Sequence, residues 1–333
     1  MKKVNTLIVG QGLAGSVFSF MLHREGIPFR VIDAGEEQSA SRVAAGMYTP
    51  ITGKRKTIHP VTIEQIPFAE SFYREVELLL DCRLLHKLPV YQVFASAAER
   101  AAFTAKTMEG NYSNFASLAG VRPGNVQQEF GGAEINSSGW LDCKAFIERW
   151  REWLQQHDLL ETGEFDFSHF DSIQQPHQYG GVQFENMVFC EGYKGMNNPF
   201  FVQRPIVPCK GEVLTVSATG LRSDLILKKA GIYLVPLNDG TFKVGATYKW
   251  GSSAPEPDTG GRGEIEALLK TLLSAGYEVV KHESGIRPTT KNREVIATHH
   301  PVFRYMYMLN GLGTKGVLNA PWWANKLLQK YFR

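Results

Sequence analysis

The sequence predicts an α/β fold in which a nucleotide-binding unit built on parallel strands is interleaved with an antiparallel sheet. Three observations predict this fold. A strand, a glycine turn and a helix open the chain at residues 4–22, a similar arrangement closes it at residues 305–331, and residues 201–250 have the pattern of strands joined by tight turns. At 333 residues the chain exceeds the usual size of one domain, so we expect two domains.

The N-terminal unit carries a dinucleotide-binding fingerprint in its expected context. An apolar strand ends at Val9, the run Gly10-Gln11-Gly12-Leu13-Ala14-Gly15 follows, and apolar residues then recur at helical spacing. A second strand ends in Asp33, about 20 residues beyond the glycines, where a carboxylate can accept hydrogen bonds from ribose hydroxyls. The N-terminus of the helix offers N–H groups and positive partial charge to a pyrophosphate. The alternative is a glycine-rich turn in an ordinary βαβ unit.

Composition narrows the classes of partner. A net charge of +3 does not require nucleic acid or an anionic membrane as a partner. No uncharged apolar run reaches about 18 residues, so we expect no membrane span. No two of the four cysteines have the C-x-x-C spacing. This argues against a disulfide framework and against a zinc site, and it favours a location in the reducing cytoplasm. Glu36 and Glu37, shortly after Asp33, would repel a 2′-phosphate and disfavour NADP.

Hydrophobic periodicity predicts the other elements. We expect helices at residues 62–80, 97–106, 141–157 and 264–275, and strands at 88–94, 129–140, 187–190 and 305–309. Residues 110–124 and 251–263 have the pattern of loops. The continuously apolar strand at 187–190 suits the middle of a parallel sheet. Pro321 suits the first position of a last helix over 322–331. The small residues at 39–47 indicate backbone that passes close to a flat or bulky neighbour, or a plain loop.

Five motifs, in this order, resemble those of the FAD-dependent D-amino-acid oxidase superfamily, and of its glycine oxidases most closely. They are Gly10 to Gly15 with Asp33, Ala44-Ala45-Gly46-Met47, Val188-Phe189-Cys190-Glu191-Gly192, Gly285-Ile286-Arg287-Pro288, and Gly311-Leu312-Gly313-Thr314-Lys315-Gly316 with Ala320-Pro321. The resemblance covers nearly the whole chain. It implies a Rossmann-type FAD-binding domain, built from residues 1–60, 140–200 and 285–333, and an interleaved antiparallel-sheet substrate domain, built from residues 61–139 and 201–284.

The resemblance also implies roles for individual residues. It implies FAD bound non-covalently, with Phe165 on the adenine through its backbone and with cofactor contacts from Gly10, Gly12, Leu13, Ala14, Gly15, Asp33, Ala34, Ser41, Arg42, Ala45, Gly46, Met47, Gly192, Gly311, Gly313, Thr314, Lys315 and Gly316. Asp33 stands where relatives more commonly have glutamate. Arg287 falls where the family binds the substrate carboxylate, and Tyr233 and Tyr248 fall where it lines the substrate pocket.

The function implied is oxidation of the C–N bond of a small amine or amino acid. A hydride would pass to flavin N5, and the imine would then be hydrolysed. Arg287 has a physical case of its own, because a guanidinium forks onto a carboxylate and stays charged at any working pH. The alternatives are a structural arginine, and core packing for Tyr233 and Tyr248.

Two other functions stay open from the sequence. A related FAD fold oxidises a modified tRNA uridine, and Lys54, Arg55 and Lys56 could contact a phosphate backbone, although the chain has no basic stripe. An NAD-dependent dehydrogenase would also use the N-terminal fingerprint. The sequence leaves open which amine is oxidised, which acceptor reoxidises the flavin, and the oligomeric state.

Overall fold

A computed structural model describes residues 1–53, 55–120 and 123–332 of the protein. Its strands, in chain order, are β1 Lys2–Val9, β2 Phe29–Asp33, β3 Met47–Tyr48, β4 Ile51–Thr52, β5 Thr57–Ile58, β6 Leu85–Lys87, β7 Val90–Val93, β8 Ala116–Leu118, β9 Gly132–Ile135, β10 Gly139–Leu141, β11 Leu160–Thr162, β12 Gln178–Tyr179, β13 Val182–Phe189, β14 Val207–Ala218, β15 Ile226–Lys229, β16 Ile232–Pro236, β17 Phe242–Gly245, β18 Lys249–Trp250, β19 Tyr277–Thr289, β20 Ile296–His299 and β21 Met306–Asn310.

The α-helices of the described residues are α1 Leu13–Arg24, α2 Ala40–Val43, α3 Pro60–Leu80, α4 Ala97–Thr107, α5 Cys143–Gln156, α6 Thr259–Leu272 and α7 Gly316–Tyr331. Short 3₁₀ helices cover Gly110–Asn114, Phe167–His169 and Gly192–Asn197. In the described part of the chain, no helix combines the length and the apolar character that crossing a membrane requires.

The first large sheet is the nucleotide-binding type of sheet expected from the sequence. Its strand order is β11-β2-β1-β13-β21-β20, with β12 paired to β13. The strands from β11 to β21 are parallel, and β20 is antiparallel at the edge. Helices α1, α5 and α7 cover one face, and an aromatic cluster covers the other. Because both faces are covered, β13 is apolar at its end, and the prediction of a central parallel strand at 187–190 is confirmed.

The second large sheet is antiparallel except where β7 pairs with β15 in parallel. Its order is β18-β14-β17-β16-β15-β7-β9-β8, with β19 also paired to β14. One side of this sheet, the back face, packs Leu214, Leu227 and Leu234 against α6. The other side, the front face, packs Ile226 and Val235 into a cluster with residues 45–51 and Trp140. The α/β fold with an interleaved antiparallel sheet is therefore confirmed.

Helix α7 begins at Gly316, so the prediction that Pro321 opens it is wrong. Pro321 is inside the helix and has no N–H to donate to the Val317 carbonyl one turn earlier. The Tyr73 hydroxyl of α3 donates to that carbonyl at 2.9 Å instead. A tertiary hydrogen bond thus replaces the bond that proline removes, and the helix continues through it.

Helix α6 begins at Thr259, five residues before the predicted start, although residues 260, 261 and 263 are glycines. The Asp258 side chain caps it by accepting from the Gly261 N–H at 2.9 Å. A Cβ at Gly261 would overlap the buried Glu212 carboxylate, so close packing against β14 requires glycine there.

The predicted loop at 110–124 also contains a 3₁₀ helix and β8.

Candidate active site

The turn between β1 and α1 contains three glycines of the fingerprint, and they differ in whether the backbone packing leaves room for a side chain. Gly10 has φ +99°, and a Cβ there would lie 2.5 Å from the Cys190 carbonyl oxygen. A Cβ at Gly15 would overlap the Gly10 carbonyl oxygen. At Gly12 the nearest atom to a Cβ would be the Ser41 Oγ, at 3.4 Å. Backbone packing therefore requires Gly10 and Gly15, whereas Gly12 borders open space in which a ligand can approach.

The two glycine turns at opposite ends of the chain lie side by side. A Cβ at Gly316, the first residue of α7, would lie 3.1 Å from the Leu13 side chain at the start of α1. The Leu13 N–H donates to Ser41 Oγ at 3.1 Å, and neither helix has a side-chain cap at its N-cap residue. Two helix N-termini thus direct N–H groups and positive partial charge toward one region, which suits an anionic ligand.

The remaining motifs close a ring around this region. The Gly313 N–H of the C-terminal turn donates to the Pro288 carbonyl at 2.9 Å. A Cβ at Gly285 would lie 2.9 Å from Ala40 Cα, so β19 packs closely on α2. The Asn310 amide donates to the Gly192 carbonyl at 2.9 Å. The structure therefore brings together four of the five motifs and the α2 residues that precede the second motif, although these segments are up to about 300 residues apart in the sequence.

The Asp33 carboxylate lies at the end of β2 and is already hydrogen-bonded. It accepts from the Gln11 N–H at 2.8 Å, from the Gly35 N–H at 2.7 Å and from the Arg151 guanidinium at 2.7 Å. Two oxygens offer about four lone pairs, so one acceptor position is left for a ribose hydroxyl. Arg151 of α5 also donates to the Asp33 carbonyl at 3.2 Å. No local pattern in the sequence singled out Arg151.

The residues next to Asp33 lie at the same end of the sheet. Ala34 is exposed. The Gly163 N–H donates to the Asp33 carbonyl at 3.2 Å, which places the start of the segment that leads to Phe165 beside Asp33. The Phe165 ring itself is buried and stacks on Tyr179, with ring centroids 4.2 Å apart.

The segment of small residues after α2 runs close to protein backbone. Gly46 has φ +66°, and a Cβ there would overlap the Leu141 carbonyl oxygen of β10. The sequence predicted a flat or bulky neighbour for this segment, and at Gly46 that neighbour is β10. Ala45 and Met47 pack in the front-face cluster. Arg42 forms an ion pair with Glu148 at 3.2 Å.

The C-terminal turn presents both buried and exposed residues. Gly311 is buried, with the Thr290 methyl group 3.0 Å from where its Cβ would lie. Thr314 is exposed. Lys315 is the N-cap residue of α7 and is partly buried, and burial lowers the pKa of its ammonium group.

Arg287, Tyr233 and Tyr248 lie close together at the front face. The Arg287 guanidinium lies over Gly211, stacks 4.6 Å from the centroid of the Tyr248 ring, and donates to the Thr247 carbonyl at 3.2 Å. No described Asp or Glu carboxylate lies within 4.0 Å of it. Tyr248 is 53% exposed, so this group borders solvent. The guanidinium is thus free to bind an anion from outside the protein.

Burial raises the pKa of the Tyr233 hydroxyl to about 12, although the nearby positive charge of Arg287 opposes the shift. Tyr233 therefore stays neutral at ordinary pH and can donate a hydrogen bond, but it is a poor base. On β14, burial also raises the pKa of the Cys209 thiol, and Arg287 again lowers it. Cys209 pairs with Arg287 across the strands and was not expected from the sequence.

The comparisons with known proteins agree with this geometry. The family described as FAD dependent oxidoreductase (DAO) matches residues 5–329. The chain belongs to this family. It is 33% identical to glycine oxidase of Bacillus subtilis (strain 168) over 129 residues, which are 38% of this chain and 33% of that enzyme. It is 22% identical to glycine oxidase of Bacillus licheniformis over 366 aligned positions, covering 96% of this chain and 90% of that enzyme. The crystal structure of glycine oxidase from Geobacillus kaustophilus superposes with a TM-score of 0.81 at 19% identity, covering 99% and 95% of the two chains.

The protein is thus an FAD-dependent oxidoreductase of the glycine oxidase-like type, and its residues fit the cofactor. The open side of Gly12 and the two adjacent helix N-termini suit a ligand with a pyrophosphate, as FAD has. This family membership decides against the NAD-dependent alternative. Among residues 1–53, 55–120 and 123–332, no group of three or more His, Cys, Asp or Glu is arranged to hold a metal.

Of the basic run that suggested RNA, the two described residues differ in exposure. Lys54 lies outside the described residues, and Arg55 is exposed. Lys56 is partly buried and forms an ion pair with Glu99. Neither the family nor the relatives described above concern tRNA modification.

Proposed function

We propose that this protein oxidises the C–N bond of a small α-amino acid whose carboxylate binds Arg287. The observation that carries the proposal is the Arg287 guanidinium, which stacks on Tyr248 and has no carboxylate partner among the described residues. An arginine fork holds a carboxylate through two parallel hydrogen bonds. The relatives named glycine oxidase support a small amino acid as the substrate.

The chain would hold FAD non-covalently between the two glycine turns. The pyrophosphate would lie at Gly10, Gly12, Leu13, Ala14 and Gly15, the ribose at Asp33 and Ala34, and the adenine at the backbone of Phe165. The flavin would be bordered by Ser41, Arg42, Ala45, Gly46, Met47, Gly192 and the residues from Gly311 to Gly316. Residues 1–60, 140–200 and 285–333 would form the FAD-binding domain. The rest, 61–139 and 201–284, would form the substrate domain.

When bound, FAD supplies the acceptor for the hydride that leaves the α-carbon of the substrate. The protein's own residues bind and orient. Arg287 fixes the carboxylate, the neutral Tyr233 hydroxyl donates to the same anion, and Tyr248 covers the guanidinium. Because the pKa of Tyr233 is about 12, its hydroxyl stays protonated and does not take the amine proton at ordinary pH, so the substrate would bind as the neutral amine after losing that proton to water. The resulting imine is hydrolysed by water.

Replacement of Arg287 tests the proposal. Arg287→Ala leaves the carboxylate unpaired, which costs about 2–5 kcal/mol, and about 2.7 kcal/mol is already a hundredfold loss of kcat/KM. Arg287→Lys restores activity only in part, because an ammonium group cannot form the two-pronged fork. A matched amine without the carboxylate loses little. The measurement is kcat/KM for the acid and the amine in each variant.

The control is Arg293→Ala, which removes a nearby arginine that stacks on Trp250 at 5.9 Å. It leaves the ratio of acid to amine activity unchanged. Equal losses for acid and amine in Arg287→Ala, or loss of bound FAD, would show that Arg287 is structural.

A further inference from the structure

Lys228 is a second cation on the front face, on the same side of the sheet as the candidate substrate site. On β15 it pairs with Tyr233 of β16 and lies beside Gln92 of β7. Directly opposed residues of an antiparallel pair point to the same face. Tyr233 packs in the front-face cluster, so Lys228 faces the same side. Its neighbour Lys229 points to the back face, where its Nζ donates to the Thr271 carbonyl at 2.5 Å.

Lys228 has no anionic partner. No described carboxylate lies within 4.0 Å of its Nζ, although the side chain is partly buried and burial lowers its pKa. Among the described residues, Lys56 is a second cation that interacts with Lys228: its pKa falls to about 8 through burial and through repulsion by Lys228 and Lys106. Glu99 already pairs with Lys56. A buried ammonium group without a partner is unfavourable: it either loses its proton more easily, as the lowered pKa of Lys228 indicates, or is stabilised when an anion binds there.

The position of Lys228 relative to Arg287 suits a small molecule with an anion at each end. The Arg287 guanidinium lies over Gly211 of β14, and the sheet order from there to Lys228 is β14-β17-β16-β15. Lys228 is in one row with Tyr233, Gly245 and Val213, and Gly211 lies two residues further along β14, so the two backbone positions are about 16 Å apart. Both side chains project from the front face of the sheet. Tyr233 lies between them and interacts with the charge of Arg287.

We infer that Lys228 binds a second anionic group of the substrate, so that the protein prefers α-amino acids whose side chain ends in a carboxylate. The inference rests on the proposed function, in which Arg287 holds the α-carboxylate. Lys228 would then be the specificity-determining residue. Its contact would distinguish a charged side chain from a neutral one of the same shape.

The test compares acidic amino acids with their amides in the FAD-loaded enzyme. The substrates are glutamate against glutamine and aspartate against asparagine, each as both enantiomers. The wild type oxidises the acid with the higher kcat/KM, and Lys228→Met lowers the ratio of acid to amide at least about tenfold, because it leaves a carboxylate unpaired. Lys229→Met, the control on the opposite face, leaves the ratio unchanged. An unchanged ratio in Lys228→Met, or a wild type that prefers the amide, would overturn the inference.

A binding measurement separates failure of this inference from failure of the proposed function. Glutarate and butyrate cannot be oxidised as amines, and their binding is followed by the change they cause in the flavin absorption band. Lys228→Met weakens the binding of glutarate at least about tenfold relative to the binding of butyrate. If the variant binds glutarate and butyrate with equally reduced affinity, the inference is overturned. If no amino acid is oxidised but glutarate binds through Lys228, the proposed reaction is wrong while the second anion site stands.

Discussion

Gly12 and Gly15 are three residues apart in the same turn, but they serve different purposes. A Cβ at Gly15 would overlap the Gly10 carbonyl, so the fold itself requires glycine at this position. A Cβ at Gly12 would meet only the Ser41 hydroxyl, at 3.4 Å. The fingerprint assigns close packing of the helix to Gly15 and approach of a pyrophosphate to Gly12, and the space around each glycine agrees with that assignment.

We predict that Gly12→Val yields a folded protein without FAD. The valine side chain would occupy the space through which the pyrophosphate approaches the backbone. The measurements are the visible flavin absorption of the purified protein and its far-UV circular dichroism. As a comparison, Gly15→Val should lose folded protein as well as FAD. A Gly12→Val protein with one FAD per chain would show that the phosphates lie elsewhere.

The buried carboxyl group of Glu191 makes the free energy of unfolding depend on pH. Burial raises its pKa from 4.5 to about 7, although the Asn198 amide, which donates to the carboxylate at 2.7 Å, opposes the shift. The folded protein therefore holds this proton more tightly than the unfolded chain does. The protonated Glu191 carboxyl group therefore contributes to the stability of the folded state in full below pH 4.5, and this contribution is lost as pH rises through about 7.

We predict that Glu191→Gln removes this dependence, because glutamine stays neutral and can still accept from Asn198. Each unit of pKa difference corresponds to about 1.4 kcal/mol. The melting temperature of the variant, relative to wild type, should rise between about pH 5 and about pH 8. A difference that stays constant over that range would mean that Glu191 titrates normally.

At the scale of elements, α7 shows how tertiary contacts change a local rule. Proline inside a helix leaves the carbonyl one turn earlier without its donor. The Tyr73 hydroxyl of α3 supplies that donor to Val317, and Tyr73 is fully buried. The contact joins α3 to the helix whose N-terminus borders the candidate site.

We predict that Tyr73→Phe lowers the free energy of unfolding by about 1–3 kcal/mol, the usual cost of an unsatisfied buried group. Pro321→Ala restores an N–H that can donate to Val317, so Tyr73→Phe should cost less in that background. Thermal unfolding of the two single variants and the double variant measures this coupling. Strictly additive effects would show that the hydroxyl does not substitute for the missing N–H.

At the scale of the molecule, local patterns predicted much of the fold: the strand–glycine–helix units the α/β class, the apolar run at 187–190 the central parallel strand, and the strands and turns at 201–250 the antiparallel sheet. The glycine turns could be predicted because their chemistry is local. Arg151 and Lys228 could not be predicted in the same way. Arg151 reaches Asp33 across 118 residues, and the face on which Lys228 lies depends on pairing with β7 and β16. Contacts between residues far apart in the chain and the pairing register of the strands decide where these two side chains lie. No short pattern in a single sequence reveals that register.

The adjacent helix N-termini and the Arg287 guanidinium, which stacks on Tyr248 and has no carboxylate partner among the described residues, support one proposal about the whole molecule. The protein is an FAD-dependent oxidoreductase, and the proposal is that it oxidises the C–N bond of an α-amino acid that it holds by the carboxylate. The most direct test is anaerobic bleaching of the bound flavin by glycine, sarcosine, proline and D-amino acids, each beside a matched amine without the carboxylate, followed by admission of air. We predict that at least one amino acid bleaches the flavin at least about a hundred times faster than its matched amine. Bleaching by the amines at equal rates, or by no amino acid at all, would contradict the account.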